Sequence, residues 1–262
     1  MANQQQIELL QAEVDENDQS FFRLLVNGQS IKYITVEPGI YSTEDMCFAP
    51  SLVSMLPDFP LGDWNEGLIS RDANDNQPCF TSIKLTQFPG VQDIWHETHV
   101  DYLDLSVEKK LRTGIYKVKC PQYDNVVVVA KFARFPWEVQ YIGNETTAYQ
   151  WISGHGIGPG FLGHVTESGR VIGFLIEYIR DARHAGIQDV ESCREVLRRL
   201  HDLGVCHGDT NPFNFLIGGG KATLIDFDTA RKCDDRSVLV QEMDGLAACL
   251  DDRSGRGGGG LL

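Results

Sequence analysis

The sequence predicts an α+β protein, and three observations carry that expectation. Between residues 107 and 179, runs of β-branched and aromatic residues alternate with turn residues, the pattern of a largely local antiparallel sheet. One helix is inserted among those strands, where Ala148, Tyr149 and Ile152 fall at helical spacing. Beyond the sheet, Val190, Cys193, Leu197, Leu200 and Leu203 recur three and four residues apart and mark the clearest helix of the chain.

In chain order, residues 1–20 are polar and acidic around one short apolar cluster, 31–36 reads as a strand, and the Pro-, Asp- and Asn-rich stretch 56–78 reads as loop. Residues 115–119 read as a half-exposed strand and 121–125 as a turn. The run Val126-Val127-Val128-Val129-Ala130-Lys131-Phe132 is a buried strand carrying a single charge. The inserted helix starts either at Asn144, as its cap, or near Trp137 with Gly143 inside, and Gly154 and Gly156 stop it. Strands follow at 161–166 and 171–179. The helix 189–203 takes Asp189 as its N-cap and ends at Gly204. Short strands at 213–217 and 222–225 flank a Gly-Gly-Gly-Lys turn, a last helix covers 238–250, and 254–262 is a flexible Gly-rich tail.

Composition bounds the function. The chain has 262 residues, 42% apolar and 23% charged, enough to bury a core. With 23 Lys plus Arg against 37 Asp plus Glu, its formal charge is −14. That surface repels phosphate backbones and anionic lipids, so neither nucleic acid nor membrane is an expected partner. No apolar run approaches the length of a membrane span, about 20 residues, and the first residues lack the basic and apolar regions of a signal peptide. The 7 cysteines form no CxxC pair and read as reduced thiols of a cytoplasmic protein.

The chemistry concentrates in two blocks, His207-Gly208-Asp209-Thr210-Asn211-Pro212-Phe213-Asn214 and Leu224-Ile225-Asp226-Phe227-Asp228. Together they supply a carboxylate and an amide in one loop and a second carboxylate at a strand end. Phosphoryl transfer from ATP asks for this set: a carboxylate beside the attacking hydroxyl and oxygen ligands for the magnesium that neutralises the phosphates. His96-Glu97-Thr98-His99 lacks the spacing that puts two histidines on one helical face, and the remaining histidines show no partner pattern. His207 reads as a brace of its loop.

HGDTNPFN resembles the HxDxxxxN catalytic loop of the protein-kinase-like phosphotransferases, and IDFD stands where those enzymes carry DFG. The glycine after His207 and the acid at 228 are most similar to the aminoglycoside and choline phosphotransferases, with a further likeness to RIO-type atypical kinases. The resemblance covers residues 107–250 or so. It implies a bilobal protein-kinase-like fold, with an antiparallel-sheet N-lobe at 96–179, a reduced helical C-lobe at 180–253, and an N-terminal extension, β-rich or partly ordered, at 1–95. It implies ATP and Mg²⁺ as cofactors and a hydroxyl acceptor. In that pattern Asp209 is the catalytic residue that orients the acceptor hydroxyl and accepts its proton, and Asn214 and Asp226 hold the metal. Lys131 contacts the phosphates, with Glu145 as its partner ahead of Glu138, and the backbone C=O of Glu177 and N–H of Ile179 meet adenine. Asp244 stands for the acid that braces the catalytic loop.

The sequence departs from the family in three ways. No GxGxxG loop precedes Gly114, no APE-like segment follows Asp226, and few residues follow that acid, so the substrate platform is small, or supplied by a protein partner or by residues 1–95. No Lys or Arg stands two residues after Asp209, where protein Ser/Thr kinases carry Lys, which favours the small-molecule or atypical class, with a protein or a small molecule as acceptor. The alternative is a pseudokinase that binds a nucleotide or a partner without turnover.

Overall fold

The computed structural model describes residues 5–252 and 254. Apart from Ser254, the expected Gly-rich tail lies outside the described residues. The chain forms two units, one ending at Phe88 and the other beginning at Pro89.

The first unit is built on a five-stranded sheet in the order β1-β2-β3-β4-β5. Its strands are β1 Ile7–Glu13, β2 Ser20–Val26, β3 Ser30–Val36, β4 Glu66–Arg71 and β5 Pro78–Lys84, with helices α1 Thr43–Cys47 and α2 Ala49–Met55 between β3 and β4. Alternation in β2 sends Phe22, Leu24 and Val26 to one face, where they join Ile34, Val36, Ile69, Trp64 and the helix residues Met46 and Leu52 in a core. Ser42 caps α1 by accepting the Asp45 N–H at 3.1 Å. β4 corrects the expectation of a loop across 56–78. It pairs in parallel with β3, and a parallel partner reached through a helical crossover leaves no local hairpin signal in the sequence.

The second unit carries a six-stranded sheet in the order β6-β10-β11-β9-β8-β7. The strands are β6 His99–Asp101, β7 Ser106–Arg112, β8 Ile115–Lys119, β9 Val127–Phe132, β10 Phe161–Glu167 and β11 Arg170–Glu177. The pairings are antiparallel except at one edge, where β6, which is not among the strands expected from the sequence, runs parallel to β10. Residues ahead of β6 already belong to this unit: the Val91 N–H donates to Val171 O at 2.9 Å, and Trp95 Nε1 donates to Thr146 O at 3.0 Å. The structural division therefore falls at Phe88/Pro89 rather than at residue 95.

Helix α3, Val139–Ile152, follows a 3₁₀ turn at Pro136–Glu138. Of the two starts the sequence allows, the structure takes the earlier and keeps Gly143 inside the helix. After the sheet come β12 Arg183–His184, α4 Val190–Asp202, β13 Val205–Cys206, β14 Phe215–Gly218, β15 Lys221–Leu224, β16 Arg231–Lys232 and α5 Arg236–Asp251. Asp189 occupies the N-cap position of α4 without capping it. Its carboxylate instead accepts the Gly186 N–H at 3.0 Å and bonds from Arg183 at 2.6 and 2.7 Å. Helix α5 starts at Arg236 because Asp235 accepts the Ser237 N–H at 2.9 Å. The core joins Tyr149 and Ile152 of α3, Phe174 of β11, Val196, Leu197 and Leu200 of α4, Phe227, and Leu246 and Leu250 of α5. One apolar cluster thus fixes α3, the sheet and the segment after β15 against each other.

Candidate active site

Strand alternation places Lys131 on β9, opposite in face to the buried Ala130 and Phe132. Its ammonium reaches two carboxylates. Nζ lies 2.5 Å from Glu145 Oε2 on α3 and pairs with Asp226 Oδ1. Glu145 is 1% exposed, and its other oxygen accepts the Phe227 N–H at 3.3 Å. Burial alone would lower the Lys131 pKa, but the two carboxylates overcome it and hold the ammonium charged. Burial pushes the Glu145 carboxyl upward, and Lys131 opposes that push. For Asp226, burial also favours the neutral acid, yet Lys131, with smaller help from His207 and Arg112, keeps its pKa below the ordinary carboxylate range. Asp226 sits in the left-handed region, φ +65°, which Asp tolerates better than most residues.

The loop before β14 brings the second group together. Asp209 is exposed, whereas Asn214 is buried. Asn214 Nδ2 donates to Asp209 O at 2.9 Å and to Asp209 Oδ2 at 3.1 Å, and Asn211 Nδ2 donates to the same Oδ2 at 2.9 Å. The two blocks are joined through the backbone, where the Ile225 N–H donates to Asn214 O at 3.0 Å. His207 is fully buried, and its Nδ1 accepts the Asp209 N–H at 3.3 Å while Nε2 donates to Ile225 O at 3.1 Å. An amide can only donate and a carbonyl can only accept, so His207 is neutral with its proton on Nε2. Burial depresses its pKa in the same sense. It is the brace the sequence suggests.

The acid that braces this loop is Glu242, not Asp244. Glu242 Oε2 accepts hydrogen bonds from His201 Nε2 at 2.7 Å and the His207 N–H at 3.1 Å, and Oε1 accepts the Gly208 N–H at 2.6 Å. Burial raises its pKa, and these three donors more than reverse the effect. Asp244 is exposed, because a helix turns by 100° per residue and two residues separate opposite flanks of α5. His201 thereby gains a partner that the sequence pattern did not reveal.

Glu177 ends β11 and accepts the Gly160 N–H through Oε2 at 3.1 Å. Ile179 lies in the irregular segment after it. Neither is bonded to the Lys131 triad. His164 is buried on β10, and its Nε2 accepts the His96 N–H at 3.3 Å. Among the described residues no group of three or more His, Cys, Asp or Glu is arranged to hold a metal. The donors of the site do suit Mg²⁺, which takes one or two protein oxygens and completes its shell with phosphates and water. Asn214 commits its Nδ2 to Asp209 and retains Oδ1, and Asp226 gives one oxygen to Lys131 and retains the other.

A sheet lobe, a helical lobe, a Lys–Glu–Asp triad and an adjoining Asp–Asn loop are the features of the protein-kinase-like superfamily, and the unit beginning at Pro89 resembles its aminoglycoside-phosphotransferase-like side. Residues 175–234 match the family described as the phosphotransferase enzyme family. The 3-deoxy-D-manno-octulosonic acid kinase of Haemophilus influenzae is 37% identical over 68 residues, which are 23% of this chain and 27% of that protein. The chain therefore covers about a quarter of that relative's length. Among the described residues no helix is long and apolar enough to cross a membrane.

Proposed function

We propose that the second unit transfers the γ-phosphoryl group of ATP to a hydroxyl of a small molecule, with Mg²⁺. The observation that carries this reading is the junction of the Lys131–Glu145–Asp226 triad with the Asp209–Asn214 loop through the Ile225–Asn214 backbone bond. Asp209 stands exposed with its carboxylate oriented by Asn211 and Asn214. It takes the acceptor's proton as the acceptor oxygen forms a bond to the γ-phosphorus and the bond to the β–γ bridging oxygen breaks, leaving ADP. Lys131, fixed by Glu145, holds the phosphates, and the Glu177–Ile179 backbone receives adenine. Asn214 and Asp226 hold Mg²⁺, which when bound neutralises phosphate charge. Asn211 stands where protein Ser/Thr kinases carry Lys, and with the relative's name this favours a sugar acid as the first acceptor to assay.

The two-residue turn at Thr113-Gly114, in place of a glycine-rich loop, favours the second reading, a nucleotide-binding pseudokinase. One experiment separates them. Mg-ATP at about 100 times its Kd stabilises a specific binder by about 2.7 kcal/mol. Asp209→Ala is expected to keep that thermal shift and to lose at least about 100-fold in phosphate transfer. Equal turnover by wild type and Asp209→Ala across a sugar and sugar-acid panel overturns the enzyme reading. A melt indifferent to millimolar Mg-ATP overturns both.

A further inference from the structure

Lys131, the cation of the nucleotide cleft in the reading above, is already matched by two carboxylates. A triphosphate entering an acidic protein needs more positive charge than that. The turn joining β7 to β8 lacks the glycines that would let backbone amides wrap the phosphates. It is closed tightly, with Gly114 O accepting the Phe132 N–H at 3.0 Å, and a Cβ on Gly114, at φ +72°, would lie 3.1 Å from Phe132 O. The residue entering this turn is Arg112, paired with Ile115, which in turn pairs with Lys131.

Arg112 approaches the loop that carries Asn214. Its guanidinium carbon lies 5.8 Å from the centre of the Phe213 ring, and Phe213 directly precedes Asn214. Its charge is also felt at Asp226 and at His184. Nη2 is buried and has no hydrogen-bond partner among the described residues. A buried donor left unmade is costly in a native protein and calls for an explanation. The planar fork of a guanidinium matches the oxygens of a phosphoryl group.

We infer that Arg112 binds the terminal phosphates of the nucleotide, supplying from one side chain the donors that a glycine-rich loop would supply from its backbone. The inference rests on the phosphotransferase reading and adds a phosphate-contacting residue to it. The ligand chemistry is an oxyanion, and an anionic acceptor is the rival source.

The test compares affinities for AMP, Mg-ADP and Mg-ATP in wild type, Arg112→Ala and Arg112→Lys, by titration calorimetry on the full chain. Arg112→Ala is expected to weaken Mg-ATP about 10–100-fold, Mg-ADP less, and AMP hardly at all. Arg112→Lys, which keeps the charge and loses the fork, falls between. The ratio of ATP to AMP affinity within each variant cancels any general loosening of the fold. An unchanged ratio in Arg112→Ala overturns the inference, and if the acceptor KM alone rises, the guanidinium belongs to the acceptor. Absence of Mg-ATP binding by the wild type instead overturns the phosphotransferase reading itself.

Discussion

At the scale of the residue, the site is a set of buried charges held by matched donors, and Glu242 is the clearest test. Glu242→Ala strands His201 Nε2 and the N–H groups of His207 and Gly208. The expected cost is about 2–3 kcal/mol in urea unfolding. Asp244→Ala, at an exposed site, should stay within about 0.5 kcal/mol; equal effects would refute the assignment. The two candidate acids are both in the sequence, but only the packing of α5 against the loop chooses between them. By contrast the closeness of Asp209 and Asn214 and the backbone link from Asn214 to the strand end before Asp226 follow from motifs that are local in sequence. The proposed role of Arg112 was not legible there, since an arginine at a turn is ordinarily a solvated one.

Two buried histidines weaken the native state in acid. Burial, followed by His99 and His96, lowers the His164 pKa to about 4, whereas an unfolded histidine titrates near 6.5. Below about pH 6.5 the unfolded chain therefore takes a proton that the native chain refuses. Stability is retained above that pH and falls as pH drops towards 4, by up to about 1.4 kcal/mol per pH unit for this group. His207, depressed by burial, acts in the same direction. His164→Gln keeps an acceptor for the His96 N–H and should flatten the profile of unfolding midpoints between pH 7 and 5. A profile as steep as that of the wild type would count against this account.

At the scale of the element, α3 carries an avoidable weakness beside the site. Gly143 lies inside the helix, two residues before Glu145, and a Cβ there meets nothing within 4 Å. Gly143→Ala should stabilise the protein by about 0.5–1 kcal/mol, seen as a higher melting temperature with Lys131 chemistry unaltered. A loss of stability would show that the helix needs that flexibility. The sequence could not decide where α3 begins, because Gly143 weakens the helical pattern and Asn144 imitates a cap. Tertiary burial of Val139 and Ile142 settles it. β4 was hidden for a related reason, since its partner β3 is distant in sequence and its flanks are rich in turn residues.

At the scale of the whole molecule, two cores stand in two units, one around Leu52 and one around Tyr149. Leu52→Ala, at a fully buried position, should cost about 2–5 kcal/mol. Hydrogen exchange resolved along the chain is expected to quicken through residues 5–88 and to stay unchanged through β8, β9 and α3. Equal acceleration in both would show that the cores unfold as one. The motif-bearing unit was readable from sequence because its chemistry is sparse and specific. The first unit was not, because its pattern says only that a sheet is covered by short helices, an arrangement shared by many functions.

The Lys131 triad also bears on folding kinetics. Lys131 and Asp226 are 95 residues apart, and Glu145 and Phe227 are 82 apart. Closing loops of that length is entropically expensive, whereas the β10–β11 hairpin and α4 can form from neighbours. The bonds that make the site are thus expected among the last to close on folding and the first to open on unfolding. Removing one of them should hasten unfolding and leave the folding rate nearly unchanged. A ligand that bridges these groups would accordingly slow unfolding, lengthening the lifetime of the native state rather than helping the chain find it.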